Sequence, residues 1–373
     1  MSSAPKILVT GGHITPALAV IDHLLELLPA AQIVFVGRKY NNAEMTESFE
    51  YQEICKRGVR FHHLHTGRTV NSISVSLIRN TFAMFRGFYE SFKIIQSEKP
   101  DLVMSFGGYV ALPVSYAAFL LRTPIMTHEQ TIHPGRANRR IAQLAQKVFI
   151  AFPEASRYIS SKNITISGNP IRKSLSQAGS LLYIPKDIPC LYVTGGSLGS
   201  HAVNCAIEKL VPELIKSYCI IHQTGNVSEF GDYERLCELR DSLPARLRSR
   251  YIVKTHIGDD EIGQVMKRAD LVIGRSGANT FFELVATQKP AILVPLPEAA
   301  FDEQRKHAEI LKHAGAAVIY NQDEPVEKLM MSITNVMSNL DHYRHAYQTI
   351  ARRYRAEATQ IICDAIMGQL DKK

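Results

Sequence analysis

Two short stretches, KILVTGG at residues 6–12 and CLYVTGG at residues 190–196, make the same step from an unbroken apolar run to a pair of glycines. A strand that is apolar without alternation is covered on both faces, and such strands belong to parallel sheets sandwiched between helices. The first half repeats the pattern in AQIVFVG (31–37), DLVMSFGG (101–108), PIMTHE (124–129) and KVFIAF (147–152). The second half repeats it in YCIIHQTG (218–225), SRYIVKTH (249–256), ADLVIGRSG (269–277), PAILVPLP (290–297) and AAVIY (316–320). The stretches between these runs are long enough for crossover helices. One architecture used twice is therefore expected: an α/β chain with two parallel sheets that face each other across a cleft. Ligands bind beyond the C-terminal ends of parallel strands, so the polar residues at those ends carry the functional reading.

At 373 residues the chain has room for two domains of about 100–200 residues each. The seam is expected where Gly, Pro, Ser and Lys cluster, between GNP (168–170) and PKDIP (185–189). The expected plan is a domain over 1–170, a linker over 171–187, a second domain over 188–340, and C-terminal helices over 341–373 that pack back toward the first domain. The net charge of +8 is uneven, with 18 Lys and Arg against 11 Asp and Glu in residues 1–170. A basic first half suits a phosphorylated substrate, an anionic lipid surface or nucleic acid, or is a solvated face. No nucleic-acid module signature accompanies the charge, which argues against that partner. The six cysteines lie far apart without a CxxC pair, as expected of buried reduced thiols rather than a disulfide or zinc framework. The opening residues lack a signal-peptide pattern, and the longest apolar stretch, 109–121, is too short to span a bilayer.

At the strand ends, Gly11 and Gly12 allow a tight turn before a helix whose free amides suit an anion, and His13 at its tip is a candidate general base or a surface histidine. Gly107, Gly108 and Tyr109 end the third run, and His128, Glu129 and Gln130 the fourth; each is a binding edge or an ordinary capped turn. Gly195, Gly196, Ser197, Gly199 and Ser200 precede a helix and read as a phosphate or diphosphate loop, the alternative being tight strand–helix packing. Glu283 lies in the first turns after RSGAN, where it accepts ribose hydroxyls or serves the helix dipole. The nicotinamide fingerprint and the ATPase phosphate loop are both missing, and no carboxylate–histidine cluster has metal-ligand spacing. His62, His63 and His65 read as a surface loop. Segment 79–93 interleaves Arg79, Arg86 and Lys93 with Phe82, Phe85, Phe88 and Phe92, as in a helix touching anionic lipid or one packed against the core.

The ordered set GGHITPALAV, SFGGYVALP, HEQTIHPGRANR, GNPIR, TGGSLGS, HQTG and RSGANTFFELVATQKPAILVPLP resembles the MurG family, over about residues 6–320. These are bacterial glycosyltransferases of family 28 that add N-acetylglucosamine to the lipid-linked muramyl-peptide precursor of peptidoglycan. The resemblance implies a GT-B fold of two Rossmann-like domains and a peripheral hexosyltransferase at the cytoplasmic face of the plasma membrane. It implies UDP-N-acetylglucosamine as donor, lipid I as acceptor and lipid II as product, with inversion at the anomeric carbon. Glu283 matches the ribose-binding glutamate, Ile257 the residue whose backbone meets uracil, and Gln304 a glutamine near the donor sugar. Ser197 and its loop meet the diphosphate, with Arg172 nearby. The acceptor diphosphate belongs near residues 11–13 and the 105–109 loop, with His128 and Thr131 on the acceptor side. Segment 79–93 gains a membrane role, and cell-wall synthesis proteins are further partners.

The chain departs from the family pattern at a shortened first glycine loop, at Thr131 for an asparagine, and at Glu303 and His307 for histidine and asparagine. His13, or failing it Glu129, is expected to deprotonate the acceptor hydroxyl while Ser197, Arg172 and loop amides stabilise the leaving diphosphate. No DxD motif is present, and no cofactor or obligatory metal is expected. The rivals are a related GT-B transferase with another lipid or natural-product acceptor, and a non-catalytic nucleotide-sugar-binding subunit.

Overall fold

The computed structural model describes residues 4–40, 47–65, 75–177, 185–226 and 229–372, the side chains of 75–84 and 176 excepted. The chain divides into one unit of residues 1–171 with 355–373 and a second of residues 172–354. Unit one runs β1 (Lys6–Thr10), α1 (Ile14–Leu27), β2 (Gln32–Gly37), α2 (Phe49–Lys56), β3 (Arg60–His63), α3 (Val75–Glu98), β4 (Leu102–Ser105), α4 (Gly108–Leu120), β5 (Ile125–Glu129), α5 (Arg136–Leu144), β6 (Lys147–Ile150) and β7 (Ile164–Ile166). Its sheet has the order β3-β2-β1-β4-β5-β6-β7, every pair parallel. The order reverses between β1 and β4, so the loops leaving those strands diverge and open a crevice at their C-terminal ends. The unbroken apolar runs have the burial they require: Leu8 and Val103 face α3 and α4, while Ile7, Val9 and Met104 face α1.

Unit two runs β8 (Cys190–Thr194), α6 (His201–Leu214), β9 (Cys219–Gln223), α7 (Asp232–Ser242), α8 (Ala245–Arg248), β10 (Tyr251–Lys254), α9 (Asp259–Arg268), β11 (Leu271–Gly274), α10 (Ala278–Thr287), β12 (Ala291–Leu293), α11 (Glu303–His313), β13 (Ala317–Ile319), α12 (Val326–Ser338) and α13 (Leu340–Arg353). Its parallel sheet, β10-β9-β8-β11-β12-β13, repeats the unit-one order with the switch between β8 and β11. Two Rossmann-like domains of the GT-B type result.

The last helix, α14 (Ala358–Leu370), closes unit one by setting Ile362 and Ile366 among Val20, Ile21 and Leu24 of α1. The returning segment is shorter than the 341–373 expected. Helix α13 stays on unit two, where the buried Tyr347 hydroxyl donates to the Lys289 carbonyl at 2.6 Å. Residues 173–176 also belong to unit two rather than to a free linker, because Gly263 of α9 lets the Ser174 carbonyl approach within 2.2 Å of where a Cβ would stand. Gly168 has φ +84, and a Cβ there would lie 1.9 Å from the Arg355 carbonyl oxygen, so the outgoing and returning chains touch at this glycine.

Two strands escaped the sequence reading, β3 and β7. Both are edge strands, and an edge exposes polar side chains that break the apolar run. The histidines expected on a surface loop accordingly lie in and beside β3. His62 Nε2 sits 2.8 Å from Glu98 Oε1, and His63 Nδ1 accepts from the Lys39 amide at 2.9 Å. No helix among the described residues is long and apolar enough to cross a membrane.

Candidate active site

In unit one the turn after β1 is pinned to the loop after β4. The Phe106 amide donates to the Thr10 carbonyl at 2.7 Å and the Gly12 amide to the Gly107 carbonyl at 2.9 Å. Only glycine allows that approach, since a Cβ on Gly11 would stand 2.7 Å from Phe106 Cβ and one on Gly108 3.0 Å from the Gly12 nitrogen. His13 therefore sits at the switch point as the N-cap of α1, partly buried, with the Gln130 side-chain amide donating to its Nδ1 at 2.7 Å. Burial lowers the His13 pKa, opposed by the nearby Glu129 carboxylate. The imidazole is then neutral at physiological pH, the form a base requires.

Glu129, the alternative base, is a brace. It is 3% exposed, with one oxygen accepting from the Thr131 amide at 2.9 Å and hydroxyl at 2.8 Å, and the other from the Asn138 side-chain amide at 2.8 Å. Thr131, expected to face the acceptor, is turned back onto this carboxylate. His128 is likewise drawn inward: its Nε2 donates to the Gly168 carbonyl at 3.0 Å, and burial takes its pKa down to about 4. Tyr109 lies at the crevice under the Arg38 guanidinium, 5.2 Å from ring centroid to carbon. Asn138 escaped the sequence reading. From α5 it also accepts from the Thr127 hydroxyl at 3.0 Å, and it fills the space a side chain on Gly107 would need. Its only signal is its place in HPGRANR.

In unit two the 195–200 loop follows β8 and delivers Ser200 as the N-cap of α6, the hydroxyl accepting from the Val203 amide at 3.4 Å. Gly199 has φ +89 and would place a Cβ 2.1 Å from the Thr224 carbonyl oxygen, so the loop folds flat onto residues 224–225. Gly196 faces open space with φ +86, and Ser197 beside it is exposed. A helix N-terminus behind a glycine turn with an exposed hydroxyl has the free donors that suit an anionic group. Gln223, a second residue that escaped notice, ties this loop to the next. Its Nε2 donates to the Gly196 carbonyl at 2.8 Å and its Oε1 accepts from the Ile257 amide at 3.1 Å.

Arg172 opens unit two and bonds Glu283 Oε1 at 3.0 Å and Asp259 Oδ1 at 3.1 Å. Burial works against its charge, but the two carboxylates more than offset it and raise the guanidinium pKa. Arg172 thus holds Glu283 on α10 in place, while its Nε has no hydrogen-bond partner among the described residues. Gln304, expected beside the donor sugar, has Oε1 engaged by the Leu296 amide at 3.1 Å, while its carbonyl accepts from the Ser276 hydroxyl at 2.7 Å. His307 is fully buried. Its Nδ1 donates to the Ser276 carbonyl at 3.0 Å and burial lowers its pKa to about 4. The departure at His307 therefore secures the first turn of α11 to the loop after β11.

Residues 10–150 match the glycosyltransferase family 28 N-terminal domain, and residues 190–361 match the family 28 C-terminal domain. The chain is 32% identical over 380 residues to a UDP-N-acetylglucosamine--N-acetylmuramyl-(pentapeptide) pyrophosphoryl-undecaprenol N-acetylglucosamine transferase of Salinibacter ruber, covering 99% of this chain and 98% of that one. A protein of the same description from Clostridium kluyveri is 31% identical, with 98% and 99% covered. Among solved structures, MurG of Acinetobacter baumannii is similar at a TM-score of 0.71 and 23% identity, over 98% of this chain and 99% of that one.

Proposed function

This chain belongs to glycosyltransferase family 28, and from that premise we propose that it carries N-acetylglucosamine from UDP-N-acetylglucosamine to the 4-hydroxyl of the muramyl sugar of lipid I. The product is lipid II, formed with inversion and used in peptidoglycan synthesis. One observation carries the reaction type: a neutral histidine stands at the switch point of unit one, while the switch point of unit two presents a glycine loop at a helix N-terminus. A base for an acceptor hydroxyl and a receptor for a diphosphate are the two parts a single displacement needs.

In this reading His13 takes the proton as the acceptor oxygen attacks the anomeric carbon. The 195–200 loop, with Ser197 and the α6 amides, stabilises the charge that grows on the departing UDP, where preorganised donors help most. Glu283, steadied by Arg172, accepts the ribose hydroxyls. With the Ile257 amide already engaged by Gln223, recognition of uracil at that position falls to the Ile257 carbonyl.

The acceptor is lipid-linked, and unit one offers a surface for its bilayer. Phe85 is 70% exposed, Tyr89 57%, Phe119 53% and Leu120 60% on α3 and α4, while Phe88 and Phe92 pack inward. Arg86 and Lys93 flank these aromatics, a composition suited to an anionic surface at the cytoplasmic face of the membrane. A second reading, transfer to another lipid-linked acceptor, is favoured by Thr131, which turns away from the crevice onto Glu129.

Incubation of the purified protein with labelled UDP-N-acetylglucosamine and short-chain lipid I tests the proposal. The expected product is the β-linked disaccharide; label transferred only to other polyprenyl-linked sugars supports the second reading instead.

A further inference from the structure

Outside the residues assigned to the reaction, unit two gathers three metal-ligating side chains that the sequence reading did not connect. His201 and Cys205 lie four residues apart on one face of α6, and Asp232 opens α7. The His201 Nδ1 to Asp232 Oδ1 distance is 2.8 Å, Cys205 Sγ lies 3.7 Å from His201 Nδ1, and all three ligand atoms fall within 4.8 Å of one another. We propose that His201, Cys205 and Asp232 form a binding site for a zinc-class divalent cation that clamps α6 to α7.

The distances suit that ion. Zinc bonds of about 2.3 Å to sulfur and about 2.0 Å to nitrogen and oxygen, set at tetrahedral angles, separate N from S by about 3.5 Å and N from O by about 3.3 Å. Closing on a metal therefore brings the Cys205 sulfur a few tenths of an ångström nearer His201 Nδ1, opens the His201–Asp232 hydrogen bond by about half an ångström, and draws Cys205 Sγ and the Asp232 oxygen together from a separation within 4.8 Å. The rest of the shell is already held. The His201 ring stacks on Phe230 with centroids 4.2 Å apart, and the second Asp232 oxygen accepts from the Asn204 side chain at 2.7 Å. An imidazole, a thiolate and a carboxylate together favour zinc over magnesium or calcium, and the partial exposure of His201 and Cys205 leaves a fourth position for water.

A cation already stands at this spot. Arg235 Nη2 lies 2.7 Å from Asp232 Oδ1 and 3.7 Å from Cys205 Sγ, bridging two of the three ligands. The same guanidinium keeps Glu208 through Nε at 2.9 Å and the Phe230 carbonyl through Nη1 at 2.9 Å. It can yield Nη2 to an incoming metal without losing those contacts. Binding then releases the Cys205 thiol proton to solvent and competes with Arg235, which sets a specific pattern for variants.

Titration of the full-length protein with Co²⁺ alone, read by absorbance, reports thiolate ligation through its sulfur-to-cobalt charge-transfer band, and Zn²⁺ displaces that signal. The expected result is a band in the parent that is lost in Cys205→Ser and weakened in His201→Ala. Arg235→Gln strengthens binding by about tenfold, the order expected when one nearby positive charge is removed at surface dielectric. A parent and an Arg235→Gln variant that both lack the band overturn the proposal. So does a band that persists unchanged in Cys205→Ser, which places the metal on another cysteine. None of these readouts depends on glycosyl transfer.

Discussion

Gln130 donates its side-chain amide to His13 Nδ1 at 2.7 Å, and the Oε1 of the same amide has no partner among the described residues. In that arrangement the neutral ring carries its proton on Nε2. For Nε2 to accept a proton from a substrate hydroxyl, the ring must carry its hydrogen on Nδ1, with Oε1 of Gln130 accepting it. Turning the amide over breaks no other bond, so Gln130 is placed to select the reactive tautomer. Gln130→Leu should lower kcat by about 10–100-fold with the donor KM little changed, against about 10²–10⁴-fold for His13→Ala. Gln130→Glu should raise the His13 pKa and move the acid limb of the kcat/KM profile to higher pH. An unmoved limb in a folded, active Gln130→Glu variant would break the coupling.

The Arg172–Glu283 pair makes a separable prediction. A hydrogen bond to a charged group contributes about 1.5–3 kcal/mol, so Glu283→Ala should weaken UDP binding by about 10–150-fold. Isothermal titration of UDP measures it directly. Affinity equal to the parent would remove Glu283 from the donor site.

Two glycines of one loop should respond differently. Gly199→Ala drives a methyl group into the Thr224 carbonyl at 2.1 Å, whereas Gly196→Ala faces open space. Both carry the positive-φ cost of about 1–2 kcal/mol. Gly199→Ala adds the collision and should be the less stable of the two in urea unfolding, with UDP binding reduced further. Equal midpoints would mean that the flat packing on residues 224–225 is not needed.

Buried histidines set an acid limit on stability. Burial lowers the pKa of His128 and His307 to about 4 and of His222 to about 3. Since these folded values lie below the ordinary 6.5, the unfolded chain binds more protons between the two. The stabilisation is complete above about pH 6.5 and falls as pH drops toward about 4, by on the order of 3 kcal/mol for each histidine. His307→Asn keeps a donor for the Ser276 carbonyl while removing one titrating group. Its unfolding free energy should therefore fall less steeply than the parent's between about pH 7 and pH 5; parallel slopes would contradict the assignment.

The exposed aromatics of α3 and α4 predict a separation of binding from chemistry. A Phe85→Ser, Phe119→Ser double variant should sediment less with anionic vesicles yet keep its rate on a water-soluble short-chain acceptor. Undiminished sedimentation would move the membrane contact elsewhere.

The repeated strand-to-glycine step made the fold legible, because only strands buried on both faces spell unbroken apolar runs and only a switch point needs glycines there. The edges were not legible: RFHH at β3 obeys solvent on one side, and its histidines answer to Glu98 and Lys39 through contacts far along the chain. In the site, His13, Ser197 and Glu283 stood out because each follows a strand end. The bracing roles of Glu129, His128 and Gln304 did not, since a polar side chain at such an end looks the same whether it faces ligand or backbone. Asn138 and Gln223 lay inside quoted motifs, but their work is to join loops that only the folded chain brings together.

The central claim divides the work between His13 in unit one and Glu283 in unit two. UDP binding and transfer from UDP-N-acetylglucosamine to short-chain lipid I should be measured side by side in the parent, His13→Ala and Glu283→Ala. The account predicts transfer by the parent, parental UDP affinity with transfer slowed by about 10²–10⁴-fold in His13→Ala, and weakened UDP binding in Glu283→Ala. A folded parent that binds UDP but transfers nothing to lipid I, or a His13→Ala variant that transfers at the parental rate, would contradict it.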